Sequence, residues 1–286
     1  MKKILIIFSF LFLIPNFTFA DFKKIKKKAT ITKPEIIFPM PKNLKRCKTT
    51  ISVNPEFNHV TPVLKVEAPS GYGLDKRFNH AQNKFENFSF PCGGGNIEAC
   101  EHVKRVILDW AKSNAAQRTG PSDGEGRHWN DTLTVNLYIA SPMMAAYSFA
   151  KQVIIVPENE DKIIKDWFKR IVKKNEHLMY EYSNYKPESG AGGVPKRAHN
   201  HALSSAMSHM QLGILFNDNK LFRTAFKNFE AAIKYQRKDG SMPIETRRGG
   251  RAMFYQARAM NALAVIAILA ENQGYNIWDY EYKKKN

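Results

Sequence analysis

Asp239-Gly240-Ser241-Met242-Pro243-Ile244-Glu245-Thr246-Arg247-Arg248-Gly249-Gly250-Arg251-Ala252-Met253-Phe254-Tyr255 reads as a turn that opens into a helix. Asp-Gly and the proline punctuate its first half, and helical apolar spacing then runs from about Arg251 to Gln273. Arg251 and Tyr255 stand four apart and share a helix face, with Arg248 just ahead at the helix mouth. Three arginines and a tyrosine beside a helix start can bind a carboxylate and move a proton. They can equally be an ordinary basic surface around a half-buried phenol ring.

Working outward, the same periodicity recurs upstream. Val103, Val106, Ile107, Trp110 and Ala111 repeat at helical intervals, as do Ile163, Ile164, Trp167, Phe168 and Ile171. Further helices are expected at about 129–151, 200–215 and 219–236. Two connections, 119–126 and 188–196, are long and glycine-rich for links between packed helices, and such loops often line clefts. Behind the second comes Arg197-Ala198-His199-Asn200-His201, in which Asn200 could be a simple N-cap and His201 a solvated first-turn residue. Successive antiparallel pairs with short returns give an all-α fold, an incomplete α/α toroid, with a generic helical bundle as the alternative.

The N-terminal third is different. Lys2 and Lys3, an apolar run from Ile4 to Ile14, and Thr18-Phe19-Ala20 have the order of a secretory signal peptide over 1–20, with cleavage after Ala20. Residues 21–90 read as an irregular arm because Pro34, Pro39, Pro41, Pro55, Pro62 and Pro69 recur too often for long helices. One short helix is expected around 75–85, and 22–46 reads as disordered. No linker divides residues 91–286, which form one helical domain. The net charge of +18 falls to +16 without residues 1–20, which hold two lysines and no acid. Such a surface favours polyanions, although the lysine runs at 23–28 and 283–285 resemble solvated tails. Cys47, Cys92 and Cys100 imply one disulfide and one free thiol in an oxidising compartment, with Cys100 paired to either of the others. No Cys/His cluster has zinc spacing, so no metal is expected.

Three segments in order, Asn200-His201, Asp239-Gly240-Ser241-Met242-Pro243-Ile244-Glu245 and Arg248-Gly249-Gly250-Arg251-Ala252-Met253-Phe254-Tyr255, resemble the alginate lyase family of α/α-toroid polysaccharide lyases. Val106-Ile107-Leu108-Asp109-Trp110-Ala111 is similar to the family's early helix, and the likeness covers about residues 90–275. It implies an enzyme that cleaves a uronic-acid polymer by β-elimination, without cofactor or metal, and the signal peptide places that enzyme in the periplasm or outside the cell. The implied partner is an anionic polysaccharide, while export argues against nucleic acid and no membrane contact is expected once the signal is removed.

Residue by residue, the resemblance assigns Asn200 and Arg248 to the substrate carboxylate. It assigns His201 to neutralisation or removal of the C5 proton, and Tyr255 to proton transfer at the glycosidic oxygen. Arg251, Arg197 and His199 are expected to bind substrate, and Trp129, just past the first glycine-rich loop, to stack on a sugar. The chemistry requires such residues. Removing a proton next to a carboxylate builds a dianion unless fixed donors accommodate the developing charge. Ala202, Leu203 and Ser204 stand where the family's aromatic residues usually follow the Asn-His pair, and Tyr72 or Lys76-Arg77 are poor matches to its N-terminal Lys-Tyr segment. The subsite walls are therefore expected to differ. A toroidal glycoside hydrolase would need two carboxylic acids, for which Glu188, Asp239 and Glu245 are available. A non-catalytic polyuronate-binding protein is the other alternative.

Overall fold

The computed structural model describes residues 19–41, 60–66, 76–116, 118–119, 135–173 and 198–282. Its helices are α1 (Phe19–Lys28), α2 (Lys76–Gly93), α3 (Ile97–Lys112), α4 (Ser141–Val153), α5 (Glu158–Lys173), α6 (Asn200–Phe216), α7 (Asn219–Tyr235), α8 (Pro243–Thr246) and α9 (Ala252–Asn272). A π-helical segment (Val135–Ala140) leads into α4, and a single 3-10 turn (Gly249–Arg251) leads into α9. Strands occur among the described residues only as the two-residue β1 (Lys65–Val66) and β2 (Arg118–Thr119), paired in parallel.

α6 is the axis of the molecule. Every residue from Asn200 to Leu215 is buried, because α4, α5, α7 and α9 pack around it. A helix enclosed on all sides must satisfy its own polar groups. Ser204 Oγ donates to Asn200 O at 2.8 Å, Ser208 Oγ to Ser204 O at 3.2 Å, and His209 Nδ1 meets Ser205 O at 2.8 Å.

The α6–α7 hairpin is tight. Asn217 ends α6 in the left-handed conformation at φ 53°, and the Asp218 carboxylate caps α7 by accepting from Lys220 N and Leu221 N at 2.8 and 3.1 Å. The two helices meet so closely that a Cβ on Gly213 would stand 2.7 Å from Phe222 N. At the α2–α3 hairpin Asn96 caps α3 by accepting from Ala99 N at 3.0 Å. There Cys92 and Cys100 form the disulfide, which decides between the two pairings the sequence left open.

The reading of residues 22–46 as disordered is overturned over 22–41. Phe19–Lys28 is a helix, and Phe22 stacks on Tyr280 with ring centroids 4.0 Å apart and meets Phe226 edge-on at 6.1 Å. Burying such a ring stabilises by roughly 1.5–3 kcal/mol. Lys26, read as part of a solvated run, pairs with Glu230.

The following strap borrows hydrogen bonds from distant helices. Ile31 N donates to Asn219 Oδ1 at 2.7 Å, Thr32 N and Lys33 N donate to Gln273 Oε1 at 2.9 and 2.8 Å, and Ile37 N donates to Ser148 Oγ at 2.8 Å. Burial pushes the Glu35 carboxyl up, but Lys151 and Lys165 outweigh it and hold the group below the usual carboxylate range. The prolines prevented helix here but not order. The helix expected over 75–85 runs on to Gly93, with Pro91 in its last turn.

Candidate active site

The turn quoted first brings its residues to the start of α6. Glu245, on the short α8 and fully buried, accepts from Asn200 N at 2.8 Å and from Asn200 Nδ2 at 2.7 Å. The same carboxylate stands 3.6 Å from Arg248 Nε. Burial raises the Glu245 carboxyl from its ordinary value, while the Asn200 N–H groups and the Arg248 charge pull it back. One buried acid therefore fixes both the amide and the guanidinium. Asn200 is fully buried, and its Oδ1 has no hydrogen-bond partner among the described residues. Its Nδ2 keeps a second hydrogen, so the amide presents one donor and one acceptor.

Arg248 connects the two halves of the cluster. Its guanidinium lies 4.2 Å from the Tyr255 ring centroid and contacts His199 Nε2. His199 Nδ1 in turn faces the His201 N–H at 3.2 Å, and the two imidazoles stand edge to face with centroids 4.7 Å apart. Both ring nitrogens of His199 thus face N–H donors, and a neutral imidazole has one acceptor nitrogen, so only one of these contacts is a full hydrogen bond at a time. An imidazolium would have none. Burial first, then His201 and Arg248, drive His199 well below its usual pKa, and burial with Arg248 and Arg258 pushes His201 down to about 3. Both rings are neutral at ordinary pH.

The structure thus brings together His199, Asn200, His201, Arg248 and Tyr255, five of the expected site residues. Arg251 does not join the buried cluster. It stands exposed on the 3-10 turn, while Tyr255, four residues on, is buried at 8% exposure. Arg197 and Trp129 lie outside the described residues, as do 120–126 and 188–196 of the glycine-rich loops.

Three residues escaped the sequence reading, and a fourth, Glu245, was read there as a motif residue and an available acid but not as the clamp on Asn200 and Arg248. Arg258 is one turn beyond Tyr255, a spacing that could have revealed it. Its guanidinium lies over Phe254 at 4.4 Å and contacts the Tyr138 hydroxyl, and its charge reaches His201. Tyr138 and Asn136 come from the π-helical segment, a form that often marks functional sites. The Asn136 amide is fully buried with neither polar atom partnered among the described residues. Nothing in a heptad-style reading predicts a π-turn. Among the described residues no group of three His, Cys, Asp or Glu side chains could hold a metal ion. Asp239 is exposed in its turn, where it accepts from Ser241 N at 2.9 Å.

The alginate lyase family model matches residues 95–286. An alginate lyase of Pseudomonas syringae pv. syringae is 27% identical over 188 residues, 64% of this chain and 45% of the relative. One from Cobetia marina is 24% identical over the same length. The chain thus spans about half the length of these curated relatives. Among solved structures, the apo form of a histidine variant of alginate lyase A1-III superposes with a TM-score of 0.68 at 18% identity, covering 92% of this chain and 76% of that one. A tyrosine variant of the same enzyme, complexed with tetrasaccharide, gives 0.61 at 17% identity, covering 93% and 73%. The α/α-toroid fold is that of these solved structures, and by the match over residues 95–286 this chain belongs to the alginate lyase family.

Proposed function

We propose that the chain is an exported polysaccharide lyase that cleaves an alginate-like, uronic-acid-containing polymer by β-elimination in the periplasm. The observation that carries this reading is the convergence of Asn200, Arg248 and Tyr255 through Glu245 and the His199–His201 pair. In the proposed reaction the uronate carboxylate lies against Arg248 and the free donor of Asn200. Fixed donors there accept charge as the C5 proton leaves and the enolate-like dianion forms. An imidazole pushed down to about 3 is a poor base but a stable neutral hydrogen-bond partner. His201 is therefore assigned to holding the carboxylate, and proton transfer to the Tyr255 hydroxyl. The Tyr255 oxygen takes the C5 proton, the C4–O bond breaks as the 4,5 double bond forms, and Tyr255 hands a proton to the departing glycosidic oxygen, which returns it to its starting state.

Hydrolysis finds less support. Glu245 is committed to Asn200 and Arg248, and Asp239 is an exposed turn residue, so these two make no pair flanking a bond. Glu188 lies outside the described residues.

The test is ultraviolet absorbance of unsaturated product from alginate blocks, glucuronan, pectate and hyaluronan. Tyr255→Phe should lower turnover on the best substrate by about 10² to 10⁴ with folding intact, the typical loss of a positioned acid or base. Arg248→Ala should weaken binding and turnover together. Normal elimination by Tyr255→Phe would sink the assignment, and binding without turnover by the unaltered chain would favour the binding-protein alternative.

A further inference from the structure

We infer that the outer face formed by α1 and α7 is a docking track for anionic polysaccharide, outside the site and joined to it at one end. The inference rests on the uronate reading above and adds a second place where the polymer is held.

The positive charge is unevenly spread. α1 carries five lysines against Asp21, and α7 carries Lys220, Arg223, Lys227 and Lys234 against Glu230. By contrast α3 has three basic residues and three acids, and α5 five and four. The one acid of α7 is neutralised locally, since Glu230 pairs with Lys26. Lys23, Lys24, Lys27, Lys28, Lys220, Lys227 and Lys234 are all exposed.

The arrangement is linear. Lys220, Lys227 and Lys234 recur every seven residues, so they form one stripe along α7 with steps of about 10.5 Å. That step is comparable to the screening length of about 8–10 Å, so each lysine acts as a separate contact. A small anion can use one such contact and a polyanion all of them. α1 lies beside the stripe, fastened through Phe22 on Phe226 and through Arg223 Nη1 donating to Ala29 O at 3.0 Å.

The direction of α7 selects the ligand. α7 returns antiparallel to α6, so its C-terminal end lies where Asn200 and His201 begin α6. From there the turn fixed by Arg237 on Ser241 and Thr246 leads to Glu245 and Arg248. A polymer threaded through the site can therefore continue along the stripe. The substrate itself, and not nucleic acid or lipid, fits that continuity.

The test uses the full chain with Lys24→Gln, Lys27→Gln, Lys220→Gln and Lys227→Gln combined, in a Tyr255→Phe background so that binding is read without turnover. The probes are long-chain polymannuronate and its tetrasaccharide. The Kd for the long chain should rise about tenfold, as the loss of several exposed ionic contacts implies, with the Kd for the tetrasaccharide and the thermal midpoint unchanged. Long-chain binding equal to that of the four-lysine chain overturns the track, as does equal weakening for both probes. Phosphatidylglycerol vesicles whose binding alone responds would assign the face to lipid. Failure of the lyase reading shows separately, as absence of unsaturated product from the unsubstituted chain.

Discussion

His199 and His201 make the site pH-sensitive through stability. Both are held neutral by burial, His201 down to about 3, against a usual value near 6.5. The unfolded chain takes up protons as pH falls through 6.5 and the folded chain does not, so this contribution is present above 6.5 and lost below it. Each such histidine should cost about 1.4 kcal/mol per pH unit in that range. Denaturant melts at pH 7.5 and 5.0 should show the fall, and His201→Gln should make it shallower by about that amount per unit. An unchanged slope would mean that the imidazole is hydrated. The sequence disclosed Asn200, His201, Arg248 and Tyr255 because their order is a motif. It did not disclose Glu245 as their clamp, since a carboxylate in a turn has the same spelling whether it faces water or an amide. Tyr138 and Asn136 were hidden for another reason, as a π-turn shifts side chains off the period that the eye follows.

At the scale of elements, α6, α7 and α9 lie within a residue or two of where apolar spacing placed them, whereas the stretch expected as one helix over 129–151 is π-helical over Val135–Ala140 before α4 begins at Ser141, with 129–134 outside the described residues. The arm was misread because its order comes from elsewhere. Ile31, Thr32, Lys33 and Ile37 are held by side chains of Asn219, Gln273 and Ser148, and local sequence carries no trace of such partners. The α6–α7 hairpin offers a sharp test of packing. Gly213→Ala replaces a good helix breaker with a good helix former, yet its Cβ would meet Phe222 N at 2.7 Å and Asp218 O at 3.0 Å. Backbone cannot step aside as a side chain can. The substitution should destabilise by about 1–3 kcal/mol, read as a lower denaturant midpoint at unchanged slope, and a gain in stability would show that the two helices can separate freely.

At the scale of the whole molecule, the charge of +18 gives an expectation for every polyanionic substrate. Binding of the best uronan should weaken steadily as salt rises, because exposed charges are screened over about 8–10 Å. Affinity that ignores salt would detach the basic surface from substrate altogether. The strap carries a different consequence, in the order of events during synthesis. Thr32 leaves the ribosome early, but its hydrogen-bond partner Gln273 follows 241 residues later. The first part of the chain to exist is thus among the last to find its place. Contacts so distant along the chain slow folding, and until the chain has passed Gln273 the strap at Thr32 and Lys33 lacks its hydrogen-bond partner and the side of α6 that α9 covers stays open. A nascent chain paused before Asn272 should therefore bind chaperones and be cut readily by protease near Thr32, while the released chain resists.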